Sequence, residues 1–459
     1  MRKLRSGWPL IGLVLAGCLI GVATARAQSL EDALSAAYIN NPQLRAARAQ
    51  LRAVDEQVPQ ALSGWRPTVQ ATGSIGRQVD KTNGAGFPDA TTYTTPRQGS
   101  LTISQPIYRG GSTVAATSQA ENSVRAQRAQ LQSVEQTVLL DSITAYMDVV
   151  RDIAIVQLTK SNEQVLRRDL EAVRDRFNVG EVTRTDVAQA EAALALAIAQ
   201  RTQAEGNLVA SRARYAKQVG DQPHDLRAPP IPVKLLPANQ AEAVAGSVNN
   251  PDVVSAQYVE RAARDQVDVT FGQLLPQASV TGTLSTQTDI RSQGFTDNSA
   301  SIVAQVTIPL YQAGNVESQV RQAKQTASQR RLEIDQQRRV AAQNATSAWA
   351  ELQTARSQIV SFQAQVKANQ IALEGVRQEA LVGARTVLDV LDAEQTLLTS
   401  QVDLVRAQHD ELVAAYTVMS AVGRLTARNL SLKVPYYDPE QHYRQVRDQW
   451  WGISIDEKK

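Results

Sequence analysis

The sequence predicts a mainly α protein with a small β part, in which long antiparallel α-helical hairpins alternate with two β-hairpins. Three observations predict it. A turn motif occurs twice: Asn178-Val-Gly-Glu-Val-Thr-Arg-Thr-Asp-Val-Ala-Gln-Ala-Glu191 aligns with Leu381-Val-Gly-Ala-Arg-Thr-Val-Leu-Asp-Val-Leu-Asp-Ala-Glu394, every matched pair lying 203 residues apart. Each copy sits between a very long helical run and a shorter one, which makes each the turn of a helical hairpin. The 459-residue chain is also only 5% aromatic and dominated by Ala, Gln, Val and Arg, a composition suited to long layered helices and poor in bulky core residues.

The chain opens with a secretory signal over residues 1–27: basic Arg2, Lys3 and Arg5, an apolar segment from Trp8 to Val22, and Ala25-Arg-Ala27 as a small-x-small cleavage site. Leu15-Ala-Gly-Cys18 has the form of a lipoprotein processing site, although the apolar run continues past Cys18, where a lipidated cysteine is followed by a polar spacer. Removal of the signal takes away four of the 48 basic residues and leaves the 45 acidic ones in slight excess, so nothing in the charge supports nucleic-acid binding. Cys18 is the only cysteine and leaves with the signal, which excludes a disulfide. No later stretch approaches ~18 uninterrupted apolar residues, so no membrane-spanning helix is expected.

The first repeat is assigned to residues 28–222. Ser29 and Asp32 form a capping box that opens a helix running to about Ser63, with a break at Asn41-Pro42. From Thr68 the period changes to 2: Val69, Ala71, Gly73 and Ile75 alternate with Thr68, Gln70, Thr72 and Ser74. After a polar loop, Asp80 to Gln98, alternation resumes with Leu101, Ile103 and Ile107, giving a β-hairpin over 68–107 whose strands suit a tilted crossing of an outer membrane. A helix then runs from Ser112 to about Phe177, roughly 100 Å, and returns from Thr185 to about Val219, roughly 60 Å. The first helix has the length to fill the difference by stacking end to end on the return helix.

A Pro-rich linker, 223–239, resets the chain, and residues 240–424 repeat the plan: a helix broken at Asn250-Pro251, a β-hairpin over 277–308, a long helix, a tip near 381–392 and a return helix to about Val422. Residue pairs before the hairpins (Asn41/Asn250, Pro67/Pro276) are 209 apart and those after them (Pro106/Pro309, Gly220/Gly423) are 203 apart, so the length change lies in the hairpin loop. The tail, 425–459, has no repeat partner; Pro435-Tyr-Tyr-Asp-Pro439 and Trp450-Trp451 suggest irregular packing on the helices or partial mobility.

Two hairpins give four strands, too few to close, and open edges in lipid leave backbone groups unpaired at several kcal/mol each. If the strands enter a membrane, several chains must share one barrel, of eight, twelve or sixteen strands. The competing readings are a soluble sheet packed on helices and an elongated periplasmic coiled-coil adaptor or tether without a pore. No enzyme reading survives: His224, His409 and His442 lack metal spacing, no nucleophile motif or phosphate loop is present, and no cofactor is implied. His409, on a polar helical stretch, reads as a solvated surface residue.

Arg176-Phe-Asn-Val-Gly180 with Thr185-Asp-Val187, and Gly383-Ala-Arg-Thr-Val-Leu-Asp-Val-Leu-Asp392, resemble the two periplasmic hairpin tips of the TolC family of outer-membrane channels. The strand ends Gln105-Pro-Ile-Tyr-Arg-Gly-Gly111 and Ile308-Pro-Leu-Tyr-Gln-Ala-Gly314 fit the same family, and the resemblance covers about Ser29 to Leu425. It implies a homotrimeric α-helical tunnel in the periplasm, a shared 12-stranded barrel in outer-membrane lipid, and a passive exit duct. The duct would dock a periplasmic adaptor and an inner-membrane transporter in efflux or type I secretion.

Asp186 and Asp389 each follow a threonine by three residues, a capping box that explains both as turn residues. Asp392 has Gln189 as its counterpart in the other repeat and owes nothing to the shared turn. The resemblance implies that Asp389 and Asp392 ring a closed pore constriction, and that Thr185, Asp186 and Arg385 hold the closed tips together. At the position of a family tyrosine this chain has Ala380, so one link is missing. The tip residues Val179, Gly180, Glu181, Val382, Gly383 and Ala384 are expected to meet the adaptor.

Overall fold

A computed structural model describes residues 28–84, 87–290 and 293–454; the signal segment and its cleavage site lie outside them. The first repeat begins with α1 (Leu30–Asn40), α2 (Pro42–Asp55) and α3 (Gln57–Leu62), a helix interrupted at Asn41 and again at Glu56. Ser29 caps α1 through the expected reciprocal bonds with Asp32. Strands β1 (Thr68–Ile75), β2 (Gln78–Gly84), β3 (Phe87–Thr94) and β4 (Arg97–Arg109) follow, then α4 (Ser112–Asn178) and α5 (Arg184–Val219). The second repeat has α6 (Gln240–Gly246), α7 (Pro251–Phe271), β5 (Gln277–Thr288), β6 (Thr296–Thr307), α8 (Asn315–Leu381) and α9 (Val387–Ala421). The tail adds α10 (Gln441–Val446).

The long helices α4 and α8 have 67 residues each, about 100 Å, whereas α5 and α9 have 36 and 35, about 50–55 Å. The deficit is made up end to end. Asn41 Oδ1 accepts from Gln43 N–H (2.9 Å) to cap α2, and its Nδ2 donates to the Gln218 carbonyl (3.0 Å) at the end of α5. Asn250 repeats the device, accepting from Asp252 N–H (2.9 Å) to cap α7 and donating to the Ala421 carbonyl (3.2 Å) at the end of α9. One amide thus serves orphan groups of two helices. The largest apolar core lies around these junctions, joining α1, α2, the middle of α4 and the ends of α5 and α9. Within it Tyr146 is fully buried, its hydroxyl 2.8 Å from the Arg227 carbonyl.

Four of the strands form one antiparallel sheet in the order β1-β4-β5-β6, with β1 and β6 as free edges, and β2 pairs with β3. Register sorts the side chains by chemistry. Val69, Ile103 and Gly282 share a rung, as do Ala71, Leu101, Leu284 and Ala300, on an apolar face; Thr72, Ser100 and Ser285, or Gln70, Thr102 and Thr283, lie on the other. Hydroxyl pairs bridge strands on the polar face, Thr72–Ser100 and Ser285–Ser299 both at 2.7 Å. The sheet base is pinned where Gly110 (φ +61°) meets Gly272: a Cβ on Gly110 would lie 2.1 Å from the Gly272 carbonyl oxygen.

One expectation needs correction. The polar loop Asp80–Gln98 is mostly β structure: β2 and β3 continue the β1–β4 ribbon, and pairing passes from Ile75–Arg97 to Gln78–Thr94 without a slip, with Gly76 N–H bonded to the Pro96 carbonyl (2.9 Å). Antiparallel pairing there satisfies backbone groups that a bare loop would leave to water. Of the two readings of the tail, packing on the helices is the one its described residues follow: Leu425, Ala427 and Leu432 are buried in the main core and Tyr443 packs beside Val58 and Val124.

Gly110→Ala is expected to destabilise the protein far more than Gly314→Ala. The latter (φ +75°, open space) carries only the left-handed backbone penalty of about 1–2 kcal/mol, whereas the former adds a backbone clash. Thermal unfolding of the two variants in detergent checks the order.

Candidate functional site: helical tips, inter-hairpin seam and amphipathic sheet

Both tips are built alike. Glu181 N–H reaches back to the Arg176 carbonyl and Ala384 N–H to the Glu379 carbonyl, each at 2.9 Å, a Schellman closure that requires left-handed Gly180 (φ +84°) and Gly383 (φ +78°). The return helices then start on capping boxes. Asp186 Oδ2 accepts from Thr183 N–H (2.8 Å) and Asp389 Oδ2 from Thr386 N–H (2.9 Å), with the reciprocal bonds at 3.3 and 3.2 Å. Bonds from the Thr386 backbone and hydroxyl hold the Asp389 carboxyl below the usual range, so it is ionised at neutral pH.

The apolar tip residues are bare: Val179 is 72% exposed and Val382 80%. Nothing lies within 4 Å of where a Cβ would stand on Gly180 or Gly383. The two tips pack side by side through Leu391 of α9, buried with Leu166, Leu170 and Val173 of α4 and Ala190 of α5.

Arg385 pairs with Glu379 of its own tip (Nε–Oε2 2.8 Å), and Asp186 is engaged by Thr183, so neither bonds across to the other tip within this chain. Thr185 is exposed, as is Asp392, one turn into α9. The first tip carries Arg176–Glu181 (3.1 Å) where the second carries Glu379–Arg385, a reversal of charge order across equivalent turns.

Two polar clusters join the hairpins, α4 to α9. The repeats share an Arg–Glu pair, Arg174–Glu191 (2.7 Å) and Arg377–Glu394 (2.5 Å), each linking the two arms of its hairpin. In the first copy the Glu191 side chain is 51% exposed; in the second Glu394 is 3% exposed, covered by α4 and set against Asp169. Burial pushes Glu394 up to about 7; Arg377 pulls against that rise and the Asp169 carboxyl adds to it. One oxygen of each carboxyl, Asp169 Oδ2 and Glu394 Oε2, is buried without a conventional donor, an arrangement that a shared proton satisfies.

His409 is only 8% exposed, which corrects its reading as a solvated surface residue: α4 covers the helix face on which it lies. Its Nε2 lies 3.1 Å from Asp148 Oδ1 of α4 and its Nδ1 2.8 Å from Asp410 Oδ1. Burial alone would lower the imidazole pKa, but these two carboxylates raise it. Asp148 is held down, against its own burial, by His409, Arg151 (2.7 Å) and Arg214 (3.7 Å). A signal for Glu394 was present in the sequence, as Arg174/Arg377 and Glu191/Glu394 keep the repeat offset. None was present for His409, whose counterpart is Gly206.

Both clusters titrate in the same sense. Glu394 and His409 have folded-state pKa values above their free values of 4.5 and 6.5, so each stabilises the fold fully below its free value, and that contribution is lost as pH rises through the folded one. Above about pH 7 the two carboxylates at Glu394 and Asp169 repel. The melting temperature in detergent is therefore expected to fall between pH 5 and 8. Glu394→Gln flattens that slope if the carboxyl pair causes it; an unchanged slope assigns it elsewhere.

A family model described as outer membrane efflux protein matches residues 33–221 and 247–424. The chain is 36% identical over 443 residues to outer membrane efflux protein BepC of Brucella suis biovar 1 (strain 1330), covering 96% of this chain and 95% of that one. It is 27% identical to outer membrane protein TolC of Escherichia coli (strain K12) over 447 residues, 92% and 87% of the two chains. Among solved structures, the Campylobacter jejuni CmeC outer membrane channel superposes with a TM-score of 0.78 at 17% identity, over 91% of this chain and 89% of that one, which shows the shared fold.

Proposed function

Because this chain belongs to the outer membrane efflux protein family, we infer that it is the outer-membrane exit duct of a tripartite efflux pump or type I secretion system. It carries cargo passively from an inner-membrane transporter through a periplasmic adaptor. The observation that carries this reading is the four-stranded sheet with one apolar face, one hydroxyl-rich face and two free edges, set at one end of ~100 Å helical hairpins. Every residue of edge strands β1 and β6 is exposed. In lipid those edges must be paired, since each unpaired backbone group costs several kcal/mol. Three copies placing β6 of one against β1 of the next give a closed 12-stranded barrel, apolar outward and polar toward the lumen. The α-helical hairpins then line a periplasmic tunnel.

At the far end, Asp389 and Asp392 project from the start of α9 and form the constriction, three copies of each. Carboxylates gathered around a narrow mouth attract cations and repel one another. Asp389 also has a local task in its capping box, so Asp392, with no part in the shared turn, is the cleaner probe. Thr185, Asp186 and Arg385 hold neighbouring tips in the closed state, a change of partners in which Arg385 leaves Glu379. Val179, Gly180, Glu181, Val382, Gly383 and Ala384 form the adaptor-docking ends. Their bare valines offer apolar area, and their glycines expose backbone for hydrogen bonding.

The purified protein is expected to run as a heat-modifiable trimer from outer-membrane fractions and to conduct in planar bilayers with cation preference. Asp392→Ala should reduce that preference without lowering trimer yield; unaltered selectivity would remove Asp392 from the constriction. A water-soluble monomer without conductance would overturn the duct. Photo-crosslinkers at Val182 and Ala384 should capture the adaptor, whereas capture only from the helical shafts would move the docking surface.

A further inference from the structure

The tail ends where the sheet begins. From α10 it climbs along α2 and α3: His442 Nδ1 lies 3.2 Å from Asp55 Oδ2, and Tyr443 packs beside Val58 and Val124. It then reaches Arg66, two residues before β1, whose Nη1 donates to the Gln449 carbonyl (2.6 Å) and whose guanidinium stacks over the Trp450 ring (5.1 Å). Immediately beyond, Trp450 is 66% exposed, Trp451 89% and Ile453 fully exposed. Three large apolar side chains in four residues stand bare at the level where the sheet's apolar face starts, and among the described residues only Trp450 has a ring contact, with Arg66. Trp65, Tyr108 and Tyr311 are exposed at the same strand-to-helix junction. Tryptophan and tyrosine favour the headgroup layer, where a flat ring is half dehydrated and its N–H or O–H stays wet. Among the described residues Arg66 has no carboxylate partner, which suits it to a lipid phosphate.

We propose that the Trp450–Ile453 segment is a second membrane anchor, inserted into the phospholipid headgroup layer of the periplasmic leaflet beside the barrel base and tied to it through Arg66. This rests on the reading that the sheet is embedded in lipid. The occupant is a phospholipid surface because the segment continues the sheet's own apolar boundary and Arg66 stands beside it, suited to the phosphates that such a surface presents.

The test uses Trp→Phe variants of the protein reconstituted in phosphatidylcholine/phosphatidylglycerol vesicles. One keeps only Trp450 and Trp451, a second only Trp65, and a third only Trp349, which lies on α8 far from the sheet. Lipids brominated at shallow acyl positions are expected to quench the Trp450/Trp451 protein at least about half as strongly as the Trp65 protein, and the Trp349 protein hardly at all. Quenching of Trp450/Trp451 by aqueous iodide but not by bromolipid, with Trp65 quenched by bromolipid, overturns the anchor and leaves the duct standing. Shielding of Trp450/Trp451 from both quenchers assigns the segment to a neighbouring copy and also overturns it. If Trp65 too escapes bromolipid, the embedding of the sheet fails, and the anchor with it.

Discussion

A hydrogen-bonded helix end cannot simply stop in the interior, and this architecture depends on how two such ends are spliced. The long arms α4 and α8 outrun their return helices by nearly half their length, and the wall would be ragged without added segments. Asn41 and Asn250 solve this with one side chain each, capping the helix they begin and satisfying the last carbonyls of the helix they abut. A proline after each asparagine fixes the backbone for the new start and forgoes only an N–H that would have been orphaned. The main core gathers at this level because here the spliced α5–α2 column, the middle of α4, the end of α9 and the tail lie together.

Duplication gives two equivalent halves, and folding makes them unequal. The same Arg–Glu pair is solvated in the first hairpin and sealed in the second, because α4 lies over α9. An exposed pair of this kind contributes roughly 0–1 kcal/mol; in the second pair the buried glutamate becomes sensitive to protons, since burial raises its pKa and a second carboxyl facing it adds to the rise. The seam between hairpins thus carries titratable links, while within each hairpin the arms are joined by Arg–carboxylate pairs and apolar packing. Sliding of one hairpin against the other meets its polar resistance at groups whose charge is set by the surrounding pH.

Much of this was legible in the chain. The repeat offset, the period change at Thr68 and the Asn-Pro breaks each have a local physical cause, and each marks an element. The ribbon of β2 and β3 was hidden because Gly, Pro and Thr interrupt its alternation, and its pairing continues a register set by β1 and β4. The burial of His409 is hidden for a different reason. Its own helix gives it polar neighbours, and only the packing of α4, some 260 residues earlier in the chain, buries it. At the tips the turn chemistry of Asp186 and Asp389 could be read from threonine spacing alone. The partner of Arg385 could not, since Glu379 competes with any residue across the gap.

The two ribbons of one chain differ in height. The first runs on through β2 and β3 past the level where β5 and β6 turn at residues 289–295, and seven more residues per strand add roughly 20–25 Å of reach. In a barrel shared by several copies, tall and short ribbons would alternate, and the rim would be crenellated like a battlement. A large body arriving from the cell exterior would then touch the β2–β3 ribbons, which carry Asp80 and Lys81 along their length, before it met the notches. In such a barrel, changes to the tall ribbons would alter the cell's outward profile while leaving the bore untouched.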